Sequence, residues 1–241
     1  MSKPLSTLIV GCSGALGRAF PPSLPSLSSV ISIDLKPPPP PRHPTISAHL
    51  PLPAKNEDFG GLLPSLDTVR GEGVIDAVIN TGGGWNGGGF PGKSSSHDVF
   101  TNYLTSTSSM LNSNLLSATF ACGLATRYLE EGGHLILTGA KASLDPKECA
   151  GFMPGYGLSK NGVTYLAELL RSTEPVFKVS IIHPRTIDTL MNREGMPDAD
   201  FDEWAKCEDI AEQVVERLIL GGEEGDFDIV TEGGVTRLER L

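Results

Sequence analysis

Residues 5–17 read LSTLIVGCSGALG, and the fold class follows from this segment. Leu5 to Val10 is an apolar, partly β-branched run closed by a glycine, which predicts a short buried strand. Three glycines follow at intervals of three residues: Gly11, Gly14 and Gly17. Glycine at these points permits a tight turn, close approach of a phosphate group, and packing of the next helix on the strand. The segment therefore predicts a strand–turn–helix unit that binds a dinucleotide at the helix N-terminus.

The second predicted strand, residues 30–34, ends on Asp34, where an acid can accept hydrogen bonds from an adenosine ribose. A carboxylate there repels a 2′-phosphate and favours NADH, whereas Lys36 would tolerate the phosphate and leaves NADPH open. The glycine spacing differs from G-x-G-x-x-G, so a purely structural turn is the alternative. The candidate cofactor residues of this region are Gly11, Ser13, Gly14, Ala15, Leu16, Gly17 and Asp34.

Strands and helices alternate along the rest of the chain. The pattern predicts strands at 45–50, 74–80, 134–138, 177–182 and 226–231, and helices at 58–69, 100–129, 155–172 and 208–220. This alternation predicts an α/β fold of the doubly wound Rossmann type, with a mainly parallel seven-stranded sheet and helices on both faces. We expect residues 1–241 to form one domain, with the five prolines 37–41 in an extended surface loop.

Composition excludes several classes of partner. The net charge of −10 argues against nucleic acid and anionic membranes, which both bind basic surfaces. There is no secretory signal at the start and no apolar run long enough to span a bilayer. The cysteines lack metal-ligand spacing, so we expect reduced thiols, no metal, and a soluble cytoplasmic protein. They are Cys12, Cys122, Cys149 and Cys207.

Tyr156 and Lys160 are four residues apart in a predicted helix and therefore lie one turn apart on the same face. A lysine ammonium near a phenol favours the phenolate, so we expect a lowered pKa for Tyr156 and a proton shuttle near neutral pH. This spacing alone also fits an ordinary surface helix. Its position downstream of the glycine turn and the acid-ended strand favours a catalytic pair.

Together with Asn80-Thr81-Gly82-Gly83 after the fourth strand, these features resemble the short-chain dehydrogenase/reductase family. Residues 83–88, 138–145 and 190–201 are further similar to the family's dihydropteridine reductase branch. The resemblance covers nearly the whole chain and is weakest at 36–70 and 146–149. It implies hydride transfer from NADH to a quinonoid dihydropterin, which regenerates the tetrahydropterin. It also implies a homodimer in which long helices of two subunits pack as a bundle.

The resemblance assigns roles to individual residues. Tyr156, Lys160 and Asn114 would form the catalytic set, with Lys160 bonding the nicotinamide ribose; the alternative for Asn114 is a solvent-facing helix position. Trp85 would be one wall of the pterin slot or, alternatively, a loop anchor, and residues 191–201 would form a flap. Further cofactor contacts would come from Asn80, Gly82, Gly83, Lys160, Pro184 and Thr189, and pterin contacts from Trp85, Ala140, Tyr156 and Met191.

The residue at one position indicates which class of substrate the protein would reduce. Ala140 matches the place where most family members have a serine, although Ser143, 13 residues before Tyr156, has the common spacing. Without that hydroxyl a simple ketone would be polarised less, which favours an electron-poor quinonoid pterin. Two other functions stay open: an NADPH-dependent pteridine or carbonyl reductase, favoured by Lys36 and Ser143, and a dinucleotide sensor without turnover. We interpret His183 as a structural residue at a strand end.

Overall fold

The computed structural model describes residues 3–53 and 56–241 and contains an eight-stranded sheet. The strand order is β10-β9-β6-β5-β4-β1-β2-β3, in which every pair is parallel except the antiparallel pair β9–β10. This arrangement confirms the predicted doubly wound α/β fold. The strands are β1 (Ser6–Val10), β2 (Ser29–Asp34), β3 (Ile46–Pro51), β4 (Ile75–Asn80), β5 (Leu129–Thr138), β6 (Lys178–Pro184), β9 (Asp226–Glu232) and β10 (Val235–Arg240), while β7 (Ile187–Asp188) and β8 (Ala205–Lys206) pair separately.

Helices connect the strands on both faces of the sheet. They are α1 (Ala15–Ser23), α2 (Leu63–Arg70), α3 (His97–Met110), α4 (Ser117–Tyr128), α5 (Pro146–Ala150), α6 (Pro154–Arg171), α7 (Leu190–Gly195) and α8 (Cys207–Gln213). The predicted helix at 58–69 is a 3₁₀ segment, Asn56–Leu62, followed by α2. The predicted helix at 100–129 runs from α3 into α4 through a π-helical turn, Leu111–Leu116, and a second π-helical turn, Val214–Leu220, extends α8.

Strand β1 shows why the central strands are apolar on both sides. Its side chains alternate between the two faces of the sheet, so Leu8 and Val10 join one core and Ile9 joins the other. Each fully buried aliphatic side chain contributes about 1.5–3 kcal/mol. A continuous apolar run is therefore required where helices cover both faces. The loops at the carboxyl ends of these strands then form the ligand-binding edge.

The predicted count of seven strands is wrong, because β10 adds an eighth at one edge of the sheet. The turn between β9 and β10 is made by Gly233 and Gly234, with φ of 56° and 77°. In β10, buried Thr236 and Leu238 alternate with exposed residues, which is an ordinary edge-strand pattern. The segment is short and rich in charged residues, and these obscured the alternation.

The described part of the chain contains no helix long and apolar enough to cross a membrane. Its four cysteines are buried and unpaired. Within the same residues, no group of three or more His, Cys, Asp or Glu side chains is arranged to hold a metal ion.

Candidate active site

The glycine turn after β1 is built by close backbone approach. Gly11 has φ of 86°, and a Cβ there would lie 2.6 Å from the Cα of Gly82 in the loop after β4. A Cβ on Gly17 would lie 2.8 Å from the hydroxyl of Thr81, which itself donates a hydrogen bond to the Gly11 carbonyl at 3.1 Å. Any larger residue at either glycine would push the two loops apart. The turn and the β4 loop therefore form one rigid floor.

A cleft of about 1000 Å³ opens above this floor. Its volume is at the upper end of the range of ligand pockets, large enough for a dinucleotide. Of the predicted cofactor residues, it is lined by Gly11, Ser13, Gly14, Asp34, Gly82 and Gly83. Asn80 is buried below the floor, where its Oδ1 accepts the Gly82 N–H at 3.2 Å. Ala15, Leu16 and Gly17 form the first turn of α1 behind the lining. The side-chain-free turn and open cleft fit the phosphates of a dinucleotide.

The carboxylate of Asp34 is held in place at the rim of the cleft. It accepts the backbone N–H of Ser13 at 2.9 Å and that of Leu35 at 2.6 Å. The Ser13 hydroxyl donates to the carbonyl of Lys36 at 2.5 Å, which ties the turn to the end of β2. The side chain of Lys36 is exposed at the same rim.

One wall of the cleft was missed by the sequence interpretation. Polar residues of α3 and its π-helical turn form a stripe along one helix face, at the three- and four-residue intervals typical of such a face. The sequence does contain this signal, although a polar stripe more often faces only solvent. The stripe and the opposing apolar residues that line the cleft are Thr105, Ser108, Ser109, Asn112 and Ser113, with Leu52, Pro53 and Phe59.

Asn114 lies in the π-helical turn between α3 and α4 and is 1% exposed. Its Oδ1 accepts the Gly84 N–H at 2.8 Å, and its Nδ2 donates to the Ser159 hydroxyl at 2.9 Å. The Ser159 hydroxyl donates in turn to the Tyr156 carbonyl at 2.8 Å. The solvent-facing alternative for Asn114 is therefore wrong. The Asn114 amide thus joins the glycine loop after β4 to helix α6. Its position in a π-helical turn is also typical of functional sites.

Lys160 is buried in α6 and donates a hydrogen bond to the Thr138 carbonyl at 2.9 Å. Burial lowers the pKa of its ammonium to about 8. A Cβ on Gly83 would lie 3.4 Å from its Nζ, so the ammonium sits directly beneath the glycine loop. Lys160, Asn114 and the Gly83–Gly84 backbone are thus brought together.

Tyr156 is half-buried one turn before Lys160. Burial, with a smaller contribution from Cys149, raises the pKa of its phenol to about 12. The expected lowering of this pKa is wrong for this structure, because the loss of solvent dominates and the Lys160 ammonium is bonded to Thr138. A neutral phenol keeps its proton and can donate a hydrogen bond, which a phenolate cannot.

The Ser143 hydroxyl, in the turn after β5, has a hydrogen-bond acceptor within that turn. It donates to the Ala140 carbonyl at 2.7 Å and closes the 3₁₀ turn Lys141–Leu144. Asn161 of α6 holds the same turn through a bond from its Nδ2 to the Ser143 carbonyl at 3.2 Å. The Ser143 proton is therefore used inside the turn, while Ala140, at the start of the turn, presents only a methyl group.

Trp85 is anchored at one edge and open on the other. Its Nε1 donates to the Met153 sulfur at 3.3 Å, and 51% of the residue stays exposed. The loop that carries it is tied down by the Gly88 N–H, which donates to the Phe152 carbonyl at 2.8 Å. The indole is thus fixed in position with a free face.

Like Trp85, Ala140 and Tyr156, three further predicted residues do not line the cleft. Pro184 ends β6, Thr189 caps α7 by accepting the Asn192 N–H at 3.2 Å, and Met191 is 61% exposed on α7. None of the three lines the cleft. The structure therefore brings the glycine turn, Asp34 and the Gly82–Gly83 loop together around the cleft, and Lys160 and Asn114 contact that loop. The predicted flap lies outside the cleft.

No family model matches the chain, but individual known proteins resemble it in sequence and fold. The chain is 31% identical over 222 residues to a dihydropteridine reductase of Dictyostelium discoideum, covering 90% of this chain and 87% of that protein. It resembles the structure of a short-chain dehydrogenase/reductase of Serratia marcescens with a TM-score of 0.73 and 22% identity, covering 95% and 97% of the two chains. An aldohexose dehydrogenase of Thermoplasma acidophilum gives a TM-score of 0.70 at 17% identity, covering 97% of this chain and 94% of that one.

The two structural relatives are too distant in sequence to show more than the fold. The curated relative exceeds 30% identity along most of both chains, and this similarity shows the family. Membership implies an oxidoreductase that uses a nicotinamide dinucleotide. The chain belongs to the short-chain dehydrogenase/reductase family, in the branch of its dihydropteridine reductase relative.

Proposed function

We propose that this protein transfers a hydride from NADH to a quinonoid dihydropteridine and so forms the tetrahydropteridine. The observation that carries the proposal is the buried Asn114, whose amide connects Gly84, next to Trp85, with Ser159 of the helix that bears Tyr156 and Lys160. A ring bound against Trp85 would thereby lie beside both of these side chains. The name of the curated relative supports the same substrate class.

Each residue then has a defined task. NADH, when bound, would supply the hydride, and the reaction also consumes one proton. Lys160, the buried cation beneath Gly83, would hold the nicotinamide ribose. Tyr156, a neutral phenol, would donate a hydrogen bond or proton to the pterin as the hydride arrives. Asn114 would keep the glycine loop against α6.

The surroundings favour a pterin over a simple ketone. Trp85 offers a flat, half-exposed face, and aromatic contact with a second ring contributes about 0.5–1.5 kcal/mol beyond area burial. Ala140 supplies no hydroxyl, and Ser143 donates its own proton to the Ala140 carbonyl. An unactivated ketone needs a second donor more than an electron-poor quinonoid ring does. Met191 and the rest of the 191–201 segment would cover the bound ring.

Asp34 supports NADH as the cofactor. Two backbone N–H groups hold its carboxylate at the cleft rim, where a 2′-phosphate would meet a fixed negative charge. Lys36 is exposed nearby and offers an alternative cation, which supports slower use of NADPH. Pro184 and Thr189 would contact the nicotinamide end.

The substrate and cofactor assignments are tested together by following the oxidation of NADH. We expect rapid oxidation with quinonoid dihydropterin, little or none with 7,8-dihydropterin or simple ketones, and slower turnover with NADPH. A protein-free reaction is the control. No consumption of NADH with the quinonoid form would refute the proposed function, whereas faster turnover with NADPH would refute only the cofactor assignment.

We further propose that two copies associate through α6. Its residues Leu158, Tyr165 and Leu169 are 59%, 60% and 48% exposed and lie on one helix face. Large apolar side chains grouped in this way mark an association surface. A second copy presenting the same helix would cover them, as in the bundle that the family resemblance implies.

Tyr165→Glu combined with Leu169→Glu is expected to convert the dimer to monomers. The two substitutions remove about 2 kcal/mol of contact energy, which weakens association by about 30-fold. Burial of the two new carboxylates weakens association further. Light scattering over a concentration series measures the change. Val176→Glu, at a 69% exposed valine outside α6, is the matched control and is expected to leave the dimer intact. A monomeric parent protein would contradict the proposal.

The cytoplasm is the expected location of the enzyme. Its four cysteines are buried and unpaired, which suits a compartment that keeps thiols reduced.

A further inference from the structure

Charged side chains from three strand ends meet below the turn that follows β5. The Lys141 Nζ lies 2.8 Å from Oδ2 of Asp228, and the exposed Arg185 lies 4.0 Å from the same oxygen. His183 in β6 and Asp228 in β9 are partners in the sheet register. The two residues are 0% and 6% exposed, so this pair is almost closed to solvent, whereas the two cations reach the surface.

This group contains polar atoms without partners. Oδ1 of Asp228 and both ring nitrogens of His183 are buried and make no hydrogen bond of good geometry to the residues that the structure describes; the Ala140 backbone is near enough only for a weak contact with the ring. A buried donor or acceptor without a partner destabilises the fold, so such groups are rare in native structures. Neither residue belongs to the site described above.

The His183 ring supports the backbone beside the proposed reaction site. A Cβ on Gly139 would lie 2.7 Å from Nδ1 of His183, so the ring packs directly under Gly139. The Gly139 N–H donates to the Ile182 carbonyl at 2.8 Å, and Ala140 follows at once. Any displacement of the ring is therefore transmitted to Ala140.

Three charged groups act on His183 from the neighbouring elements, namely Asp226, Asp228 and Lys141, and the exposed Arg185 lies on the far side of Asp228 at 4.0 Å. Asp226 is paired with Arg171 at 2.6 Å. Burial lowers the pKa of His183 to about 4; Asp226, the Ala140 backbone and Asp228 oppose this shift, and Lys141 adds to it. Lys141 is thus the counter-ion that stops Asp228 from attracting a proton onto the ring.

We propose that Lys141 is a positioning residue: by neutralising Asp228 it keeps His183 uncharged beneath Gly139 and so fixes Ala140 next to the bound substrate ring. The role of Ala140 rests on the proposed function, whereas the charge state of His183 does not. The two parts are therefore tested separately.

The charge state is tested by NMR titration of the histidine rings in Lys141→Met, Lys141→Arg and His183→Leu, the last of which identifies the His183 resonance. In Lys141→Met the titration midpoint of His183 is expected to rise by about one pH unit or more, because the Asp228 carboxylate then keeps only the more distant and exposed Arg185 as a counter-ion. Lys141→Arg keeps the charge and is expected to keep the midpoint. An unchanged midpoint in Lys141→Met would overturn the proposal.

His134 is a built-in control for intact folding. It is buried and bonded to the Leu218 carbonyl at 2.9 Å and to the Ser180 hydroxyl at 2.8 Å, and neither partner belongs to the group formed by Lys141, Asp228 and His183. Its midpoint is expected to stay constant in all variants. A midpoint that rises equally for both histidines would show general loosening and would also overturn the proposal.

Turnover tests the positioning role. The ratio of Lys141→Met turnover to parent turnover is expected to fall by roughly tenfold on acidification, since small displacements of positioning groups cost up to about 100-fold. His183→Leu in the Lys141→Met background is expected to remove this pH dependence. A ratio that does not vary with pH would refute the positioning role. If the parent protein does not reduce pterins, the NMR titration still decides the charge relation, and only the proposed function fails.

Discussion

Lys160→Met is expected to lower turnover by about 100-fold or more, which is the usual effect of removing a group that holds the reacting partners. The same substitution is expected to stabilise the fold. The ammonium is buried, and its pKa falls from an ordinary 10.5 to about 8. Below pH 8 the folded and unfolded chains both carry the proton, so the full cost of burying the charge, about 3 kcal/mol, is present. The lost bond to the Thr138 carbonyl offsets about 1 kcal/mol. We therefore expect a net gain of about 2 kcal/mol at pH 7.

Denaturant unfolding at pH 7 and pH 10 measures this gain. The gain in stability is expected to be smaller at pH 10, because the Lys160 amine of the folded parent protein is then neutral. The free-energy cost of burying its charge falls as the pH rises from 8 towards 10.5. Lys147→Met, at an exposed lysine, is the matched control and is expected to change neither stability nor turnover. A Lys160→Met protein that is less stable than the parent at pH 7 would contradict a strained, buried ammonium.

Tyr156→Phe is expected to lower turnover by about 100-fold or more, the range of a lost general acid, while NADH affinity stays within about twofold. Burial holds the phenol in its neutral form at every physiological pH, so the change removes one donated proton and leaves the packed ring in place. Single-turnover kinetics with quinonoid dihydropterin, together with fluorescence titration of NADH, separates the two quantities.

Tyr165→Phe serves as the control for Tyr156→Phe, because it removes a phenol hydroxyl from the same helix and keeps the ring that the proposed dimer would cover. It is expected to leave turnover unchanged. A large loss of NADH affinity in Tyr156→Phe would instead make Tyr156 a structural residue of the cofactor site.

The parts of the fold that follow from neighbouring residues were predictable. Strand β1, the glycine turn and the acid at the end of β2 form a continuous local pattern, and the structure confirms the doubly wound sheet that this pattern indicates. Strand β10 was missed, although Thr236 and Leu238 alternate correctly, because few residues and two preceding glycines make a weak signal. The polar stripe of α3 was likewise visible in the sequence, but periodicity cannot distinguish a cleft wall from a solvated face.

The site depends on distances between residues that are remote in the chain. Asn114 faces inward because a π-helical turn and helix α6 enclose it, and no local spacing encodes that contact. The pKa of Tyr156 rises, against expectation, because burial by the whole fold outweighs one nearby cation. Residue order therefore specifies which elements form and in what succession, since propensity and periodicity are local. Burial and the pairing of charges, which set the chemistry of Tyr156 and Lys160, arise only when separate strands and helices pack together.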